Sequence, residues 1–142
     1  MRVKRSIELW VVAHGGEVLL LHVGDADVPF WQPVTGGIHD GEDAREAAVR
    51  ELGEETGLRV DPASLSRVAE GIRVRIDDRL EIDKTLFTVQ HSRALITIDT
   101  AEHDDSAWVP VDGVAAALHW RSNRDTWRLV RGAMGLSSCT SS

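Results

Sequence analysis

Residues 36–58, which run GGIHDGEDAREAAVRELGEETGL, constrain the fold more than any other segment of this chain. Asp43 and Glu46 form a D-x-x-E capping pattern, alanines follow, and Gly57 stands where a left-handed residue often ends a helix. The pattern predicts a helix over residues 43–56 between two glycine-containing loops.

Three glutamates, Glu51, Glu54 and Glu55, share one face of this helix, and only Arg50 stands among them as an opposite charge. Like charges at spacings of three and four destabilise a helix by roughly 0.2–0.5 kcal/mol per pair. A hard divalent cation such as Mg²⁺ takes oxygen ligands and would offset the repulsion. A solvated acidic helix face is the alternative interpretation.

The composition limits the class of protein. The 142 residues suit one domain, which we place at 1–134, followed by a polar tail at 135–142 that is expected to be flexible. With 16 basic and 23 acidic residues the formal charge is −7, which disfavours nucleic acid and membrane surfaces as partners. The lone Cys139 closes no intrachain disulfide, and every apolar run is far shorter than the ~20 residues that span a bilayer. We therefore expect a cytoplasmic protein.

Hydrophobic patterning around the acidic helix indicates a sheet. Two β-prone runs, 7–13 and 17–23, flank His14-Gly15-Gly16, a connection typical of a tight hairpin. Residues 24–35 are expected to be loop-like with one short extended segment. Further strands are predicted over 67–76, 80–90, 96–98 and 107–109, and further helices over 112–118 and 123–134. The order β-β-α-β-β-β-α-α predicts an α/β fold in which helices pack on a mixed sheet.

The acidic segment fits the pattern G-x5-E-x7-R-E-U-x-E-E-x-G-U, where U is aliphatic, at every specified position from Gly36 to Leu58. Seven positions demand one residue type each, so a chance match is on the order of one in 10⁸. The segment resembles the Nudix box. This resemblance implies a Nudix-type α/β/α sandwich in which the box forms a loop, helix and loop. It also implies an enzyme that hydrolyses a nucleoside diphosphate linked to another moiety.

The resemblance assigns catalytic and metal-binding roles to the helix residues. Glu51 and Glu55 would be the principal Mg²⁺ ligands, with Mn²⁺ as a substitute, and Glu54 would be a further ligand or the base. Arg50 would hold these carboxylates in place, and an ordinary helix ion pair with Glu46 or Glu54 is its alternative role. Such an arrangement suits the chemistry, because a phosphoanhydride repels a nucleophile until cations neutralise its oxygens and activate water.

The residues before the box suggest how a substrate is held. Gly36 and Gly37 permit a tight turn that brings backbone groups near metal or phosphate, and the Thr35 carbonyl is a further candidate ligand. The string FWQPVTG at 30–36 is similar to the dihydroneopterin triphosphate pyrophosphohydrolases, bacterial Nudix enzymes of folate synthesis. Trp31 is expected to stack on a flat pterin or purine ring, with core packing as its alternative role.

A second patch near the C-terminus is similar to the same subfamily. Glu102 stands where the subfamily has a late glutamate that completes the metal site, and an ordinary acidic loop is the alternative. Ser122, Asn123 and Arg124 stand at the start of the last predicted helix. They would meet phosphates or the base at the helix N-terminus, or simply cap the helix.

Two features depart from the subfamily: Val23-Gly24-Asp25 replaces basic residues after the second strand, and His39 replaces an acid. The predicted partner is therefore a pterin triphosphate or another small nucleotide, such as an oxidised or non-canonical dNTP or another nucleoside diphosphate derivative. A triphosphate would be cleaved to monophosphate and pyrophosphate. A nucleotide-binding regulator without turnover is the rival class, but every acid of the box is present. Many relatives pair as homodimers, so the resemblance admits a homodimer here without predicting one.

Overall fold

The computed structural model describes residues 1–136 and contains one mixed sheet with helices on both faces. The strands are β1 Arg2–Ala13, β2 Glu17–Val23, β3 Phe30–Gln32, β4 Val34–Gly37, β5 Ser66–Arg75, β6 Leu80–His91 and β7 Asp105–Pro110. The α-helices are α1 Ala44–Thr56, α2 Val111–Ala117 and α3 Arg121–Ala133, and a short 3-10 turn covers Pro62–Ser64.

Strand β1 lies at the centre of the sheet. Along one edge it runs parallel to β6, from Arg2 opposite Leu80 to Ala13 opposite His91. Along the other edge, β4 pairs antiparallel with the middle of β1, from Ser6 to Leu9, and β2 pairs with β1 near its end. The order β3-β2-β1-β6-β5 extends the sheet, and β7 also pairs with β2. Since β4 leads directly into the acidic segment, β1 fixes where that segment begins.

The two faces of the sheet bury different side chains, because alternate residues of a strand point in opposite directions. Ile7, Leu9 and Val11 belong to the core beneath α1. Trp10 and Val12 belong to a second core beneath α2 and α3. The predicted α/β/α sandwich is therefore confirmed, with one helix on the first face and two on the second.

Helix α1 is capped as the sequence predicts. The Asp43 carboxylate accepts a hydrogen bond from the Glu46 backbone N–H at 2.8 Å, and Gly57 has a left-handed φ of 77°. The side of the helix that faces the sheet includes Ala47 and Ala48, which are fully buried. These small side chains let α1 lie close to the sheet, which brings its glutamates near β4.

Residues 96–98, predicted as a strand, are irregular. Ile96 and Ile98 pack against the core on the α1 side, and the Thr97 N–H donates to the Thr56 carbonyl at 3.0 Å. The apolar residues therefore fill space beneath the end of α1 without pairing in the sheet. Residues 24–35 hold two short strands where one extended segment was predicted, since Pro33 has no N–H to continue the ladder from β3 into β4.

The remaining differences concern boundaries. β1 begins at Arg2, earlier than predicted, because β6 continues to pair with it as far as Leu80. In the predicted tail, the Leu136 N–H donates to the Arg131 carbonyl at 3.0 Å. Residues 137–142, with Cys139, lie outside the described residues. Within 1–136, no helix is long and apolar enough to cross a membrane.

Trp127 of α3 offers a test of the second core. Its side chain is 2% exposed, and the centroid of its ring lies 5.3 Å from the centroid of the Trp10 ring. We expect Trp127→Ala to lower the free energy of unfolding by about 3–5 kcal/mol, because it leaves a cavity. Leu129→Ala, on the exposed side of the same helix, should change it by less than about 0.5 kcal/mol. Urea denaturation measures both variants, and equal losses would contradict this packing.

Candidate metal and substrate site

The guanidinium of Arg50 ties the loop before α1 to the helix. Its Nε and Nη2 donate to the two carboxylate oxygens of Glu42 at 2.8 and 3.0 Å, and Nη2 also donates to the Gly37 carbonyl at 2.8 Å. Its Nη1 donates to Glu51 at 2.8 Å and to Glu54 at 3.2 Å. The contacts with Glu42 and Gly37 give Arg50 a wider role than a helix ion pair.

These hydrogen bonds also shift the pKa values of Glu42 and Arg50. The Arg50 guanidinium, followed by the His39 backbone N–H, lowers the pKa of Glu42 from 4.5 to about 2. In return, the hydrogen bond to Glu42, helped by Glu51, raises the pKa of Arg50 above its ordinary value. Glu42 and Arg50 therefore form a permanently charged pair at neutral pH.

Glu55 lies on the inner side of α1 and is only 1% exposed. Its Oε1 lies 3.6 Å from Nε2 of His103, and its Oε2 has no hydrogen-bond partner among the described residues. Burial, followed by the charges of Glu51 and Glu102, raises the pKa of Glu55 from 4.5 to about 10. A buried, unpartnered carboxylate oxygen is costly unless a proton or a cation satisfies it.

A loop distant in sequence completes the group around Glu55. The N–H groups of Glu102 and His103 both donate to the Asp99 carbonyl, at 3.0 and 2.9 Å, so one tight turn presents both side chains. Glu55, Glu102 and His103 each offer a ligand atom that lies within 4.8 Å of the other two. Burial lowers the pKa of His103, which favours a neutral imidazole, and one ring nitrogen of a neutral imidazole carries a lone pair.

These residues fit a divalent cation. The carboxylates supply the oxygen ligands that Mg²⁺ and Mn²⁺ prefer, and the imidazole adds a nitrogen. Glu55, which has the unpartnered oxygen, is one of the three residues of the group. At Gly36, a β-carbon would overlap the carboxylate of Glu51, so the glycine leaves the room that this carboxylate needs. Glu54, whose side chain is 54% exposed, lies at the solvent edge.

A cavity of about 620 Å³ adjoins the metal-binding group across β4. Gly36 and Gly37 line its edge, and they also contact α1, because Gly36 packs on Glu51 and the Gly37 carbonyl binds Arg50. Gln32 lines the cavity as well, and its Nε2 lies 3.3 Å from Nε2 of His103. The cavity and the carboxylates are therefore two parts of one site.

The far wall of the cavity is polar. Glu8 and Lys84 line it from β1 and β6, and Ser122 and Asn123 line it from the first turn of α3. Trp120 also lines it and is 47% exposed. The predicted substrate residues that line the cavity are Thr35, Gly36, Gly37, Ser122 and Asn123.

The other two predicted substrate residues, Trp31 and Arg124, do not line this cavity. The half-buried ring of Trp31 packs on His22 at 4.7 Å, and its backbone bridges to Leu118. Arg124 donates from Nη1 to the carbonyls of Leu118 and His119 at 3.1 and 2.8 Å. These contacts favour packing and capping roles, and a contact with substrate stays a prediction for both residues.

Sequence analysis did not assign Glu8, Gln32, Lys84 or His103 to the site. Glu8 and Lys84 carried a usable signal, because a charged residue inside an apolar strand is almost never fully buried without a partner. His103 directly follows Glu102, which placed it beside a predicted ligand. Gln32 gave no signal of its own, since its position depends on how β3 lies beside the loop of His103.

Comparisons with known proteins agree with this geometry. A family model described as NUDIX domain matches residues 4–130. An RNA pyrophosphohydrolase of Dinoroseobacter shibae is 62% identical over 56 residues, 39% of this chain and 34% of that protein. The dihydroneopterin triphosphate diphosphatase of Escherichia coli is 38% identical over 68 residues, 46% of this chain and 45% of that protein. The matches thus span about a third to a half of these curated relatives.

The similarity extends to solved structures. The structure of the E. coli dihydroneopterin triphosphate pyrophosphohydrolase superposes on this chain with a TM-score of 0.72 and 25% identity. The superposition covers 90% of this chain and 96% of that one. This chain therefore shares its fold with a pyrophosphohydrolase of known structure.

The pair of Glu42 and Arg50 predicts a pH dependence of stability. Because the pKa of Glu42 in the folded chain, about 2, is below the ordinary 4.5, its stabilisation is present above pH 4.5 and is lost as the pH falls toward 2. We expect Glu42→Gln to lower the free energy of unfolding at pH 7 and to lose less of it on acidification than the parent. Urea denaturation from pH 7 to pH 3 measures this. Glu70→Gln, at an exposed side chain, is the control and should follow the parent.

Glu55 predicts the opposite pH dependence of the free energy of unfolding. Its raised pKa means that the folded chain without a cation keeps a proton that the unfolded chain releases above pH 4.5, so stability falls as the pH rises toward 10. In chelator at pH 7.5, we expect Glu55→Gln to raise the free energy of unfolding by about 1–3 kcal/mol. Mg²⁺ should then stabilise the parent and leave the variant unchanged. Equal stability in chelator and equal responses to Mg²⁺ would remove Glu55 from the metal site.

Proposed function

Because the chain belongs to the Nudix family, we propose that it is a pyrophosphohydrolase that depends on Mg²⁺, with Mn²⁺ as a substitute, and acts on a small triphosphate. The observation that carries this proposal is the buried carboxylate of Glu55, which has one unpartnered oxygen and forms a ligand group with Glu102 and His103. The products would be a monophosphate and pyrophosphate.

Each carboxylate has a separate task in this hydrolysis. Glu51, Glu55 and Glu102 would hold the cation, which supplies charge neutralisation and water activation when it is bound. Arg50 keeps Glu51 and Glu54 in place through hydrogen bonds from its Nη1. Glu54 is more exposed than Glu51 and Glu55, and Arg50 holds it at the solvent edge, so it is our candidate for a further ligand or for the base that takes the proton of the attacking water.

The cavity would hold the remainder of the substrate. Its volume of about 620 Å³ is within the range of small-molecule sites. Gly36 and Gly37 lie between the carboxylates and the cavity, where their backbone would follow the phosphate chain. Trp120 offers an aromatic face at the cavity wall, and Asn123 offers an amide. A phosphate chain at the glycines and a ring against the far wall would therefore use the whole site.

Dihydroneopterin triphosphate is the first substrate candidate, supported by the FWQPVTG string and by the similarity to the E. coli diphosphatase. An oxidised or non-canonical dNTP is the second. It is favoured by the loop at Val23-Gly24-Asp25, where Gly24 packs against Asp104 and no basic side chain is present. The similarity to the RNA pyrophosphohydrolase covers only 39% of this chain, and a net charge of −7 disfavours a long polyanion.

A panel of triphosphates tests the proposal and its rival. The purified protein would be mixed with dihydroneopterin triphosphate, canonical and oxidised dNTPs, 5′-triphosphorylated RNA and a nucleotide sugar, in Mg²⁺, in Mn²⁺ and in chelator. Pyrophosphate or phosphate release is the readout. We expect release from one of the small triphosphates in Mg²⁺ and none in chelator. Tight nucleotide binding without turnover of any compound would instead support the regulator. Light scattering would show whether the protein is a homodimer, which the resemblance admits, and cell fractionation would test the predicted cytoplasmic location.

Glu102 gives the sharpest kinetic prediction within this proposal. Glu102→Gln should lower kcat at least about tenfold and raise the Mg²⁺ concentration needed for half-maximal rate, because the amide keeps the shape and loses the ligand charge. Asp104→Asn is the matched control, since Asp104 lies in the same loop but pairs with His22 at 2.7 Å, outside the metal group. Its kcat should stay within about twofold. Equal effects of the two variants would remove Glu102 from the metal site.

A further inference from the structure

A buried ionic cluster that the proposed hydrolysis does not use lies at the wall of the cavity. Glu8 is 0% exposed and stands in the middle of the apolar strand β1. Its Oε1 accepts hydrogen bonds from Lys84 Nζ at 2.8 Å and from Asn123 Nδ2 at 3.0 Å. Its Oε2 accepts from Trp10 Nε1 at 2.8 Å. One carboxylate thus connects β1, β6 and α3.

Stability does not explain this cluster. Removing two charges from water costs several kcal/mol per ion, and a well-packed apolar pair in the same place is often as stable or more stable. Lys84 itself is only 7% exposed. All three polar members, Glu8, Lys84 and Asn123, line the same cavity. Their position beside the space for a substrate points to recognition.

The contact with Glu8 fixes the orientation of Asn123. A carboxylate only accepts hydrogen bonds, so the amide nitrogen of Asn123 faces Glu8. The amide oxygen Oδ1 is therefore directed away from Glu8. Glu8 also holds the Lys84 ammonium, which has three N–H donors and uses one of them on Oε1. The wall therefore offers an acceptor, Oδ1, close to a charged donor, Nζ.

The geometry points to Glu8 as a positioning residue that aligns Asn123 and Lys84 to bind a lactam edge, a ring carbonyl next to a ring N–H. This inference rests on the proposed function, because the ring would belong to the triphosphate held at the carboxylates. 6-Oxopurines and 4-oxopteridines both carry such an edge. The exocyclic oxygen would accept from Lys84, since hydrogen bonds from a charged donor are the stronger ones, and the ring N–H would donate to Oδ1 of Asn123.

The same wall rejects adenine in that orientation. Adenine carries an exocyclic amino group where the 6-oxopurine carries its oxygen, and a ring nitrogen lone pair where the 6-oxopurine carries N–H. An amino donor would then face the Lys84 ammonium, and the lone pair would face Oδ1 of Asn123. Because the phosphate chain fixes how the ring enters, the adenine ring cannot exchange these two positions by turning over.

Binding of monophosphates in Mg²⁺ tests this inference without turnover, because the cation would anchor the phosphate and a monophosphate has no phosphoanhydride bond to cleave. Titration calorimetry would compare GMP with AMP on the parent, Glu8→Gln and the control Glu70→Gln. We expect the parent to bind GMP at least about tenfold more tightly than AMP, the equivalent of one good hydrogen bond. Glu8→Gln should bring the ratio close to one, because a glutamine side chain no longer fixes the Asn123 amide. Glu70→Gln should keep the parent ratio.

A double variant covers the case in which Glu8→Gln leaves Lys84 buried without a partner and unfolds the chain. Glu8→Gln with Lys84→Met removes both charges together, so folding is retained and the preference for GMP should still be lost. Equal affinities of the parent for GMP and AMP, or an unchanged ratio in a folded Glu8 variant, would overturn the inference.

Kinetics separate a positioning role from a structural one. With dGTP or dihydroneopterin triphosphate, Glu8→Gln should raise KM about tenfold and leave kcat within about twofold, since the ring contact is lost equally from ground and transition states. Inorganic tripolyphosphate has no ring, so its KM should not change. An equal rise of KM on tripolyphosphate, or a large loss of kcat on any of these substrates, would overturn the positioning role. If no triphosphate is hydrolysed, the proposed function fails, while the GMP to AMP ratio still decides this inference.

Discussion

The hydrogen bonds of Arg50 are the interaction on which the rest of the site depends. One guanidinium joins Glu42, the Gly37 carbonyl, Glu51 and Glu54, and so it links β4, the loop and α1 in one rigid unit. It also supplies the positive charge that pairs with two of the three glutamates, Glu51 and Glu54. The loop before the helix therefore has a fixed shape, and the glycines beside Arg50 hold their backbone against the cavity.

The site contains two buried polar arrangements that are unfavourable for the stability of the core, one at the metal-binding group and one at the wall of the cavity. At one end Glu55 is buried with an oxygen that has no partner within residues 1–136, and at the other end Glu8 and Lys84 form an ion pair inside the sandwich. Both arrangements cost stability when no ligand is bound. Such costs are expected where binding is the purpose, because the groups that would hold a ligand cannot all be satisfied by the protein itself.

Prediction succeeded where the signal was local. The bounds of α1 follow from Asp43 and Gly57, which act on backbone groups within one turn of the helix. Prediction failed at residues 96–98, where Ile96 and Ile98 have the composition of a strand but fill space beneath α1. At Pro33 the missing N–H divides one extended segment into β3 and β4, and whether the two pieces pair with the same strand depends on the sheet.

The sequence by itself determined the acidic helix, its caps and the carboxylates that it carries, because these rest on spacings of three and four residues along one chain segment. Only the tertiary structure decided which distant groups join them. Glu8 meets Lys84 across 76 residues and Asn123 across 115 residues, and the loop of Glu102 reaches Glu55 from beyond the sheet. Such contacts depend on strand register and on which face of the sheet each helix covers, and no local pattern encodes either.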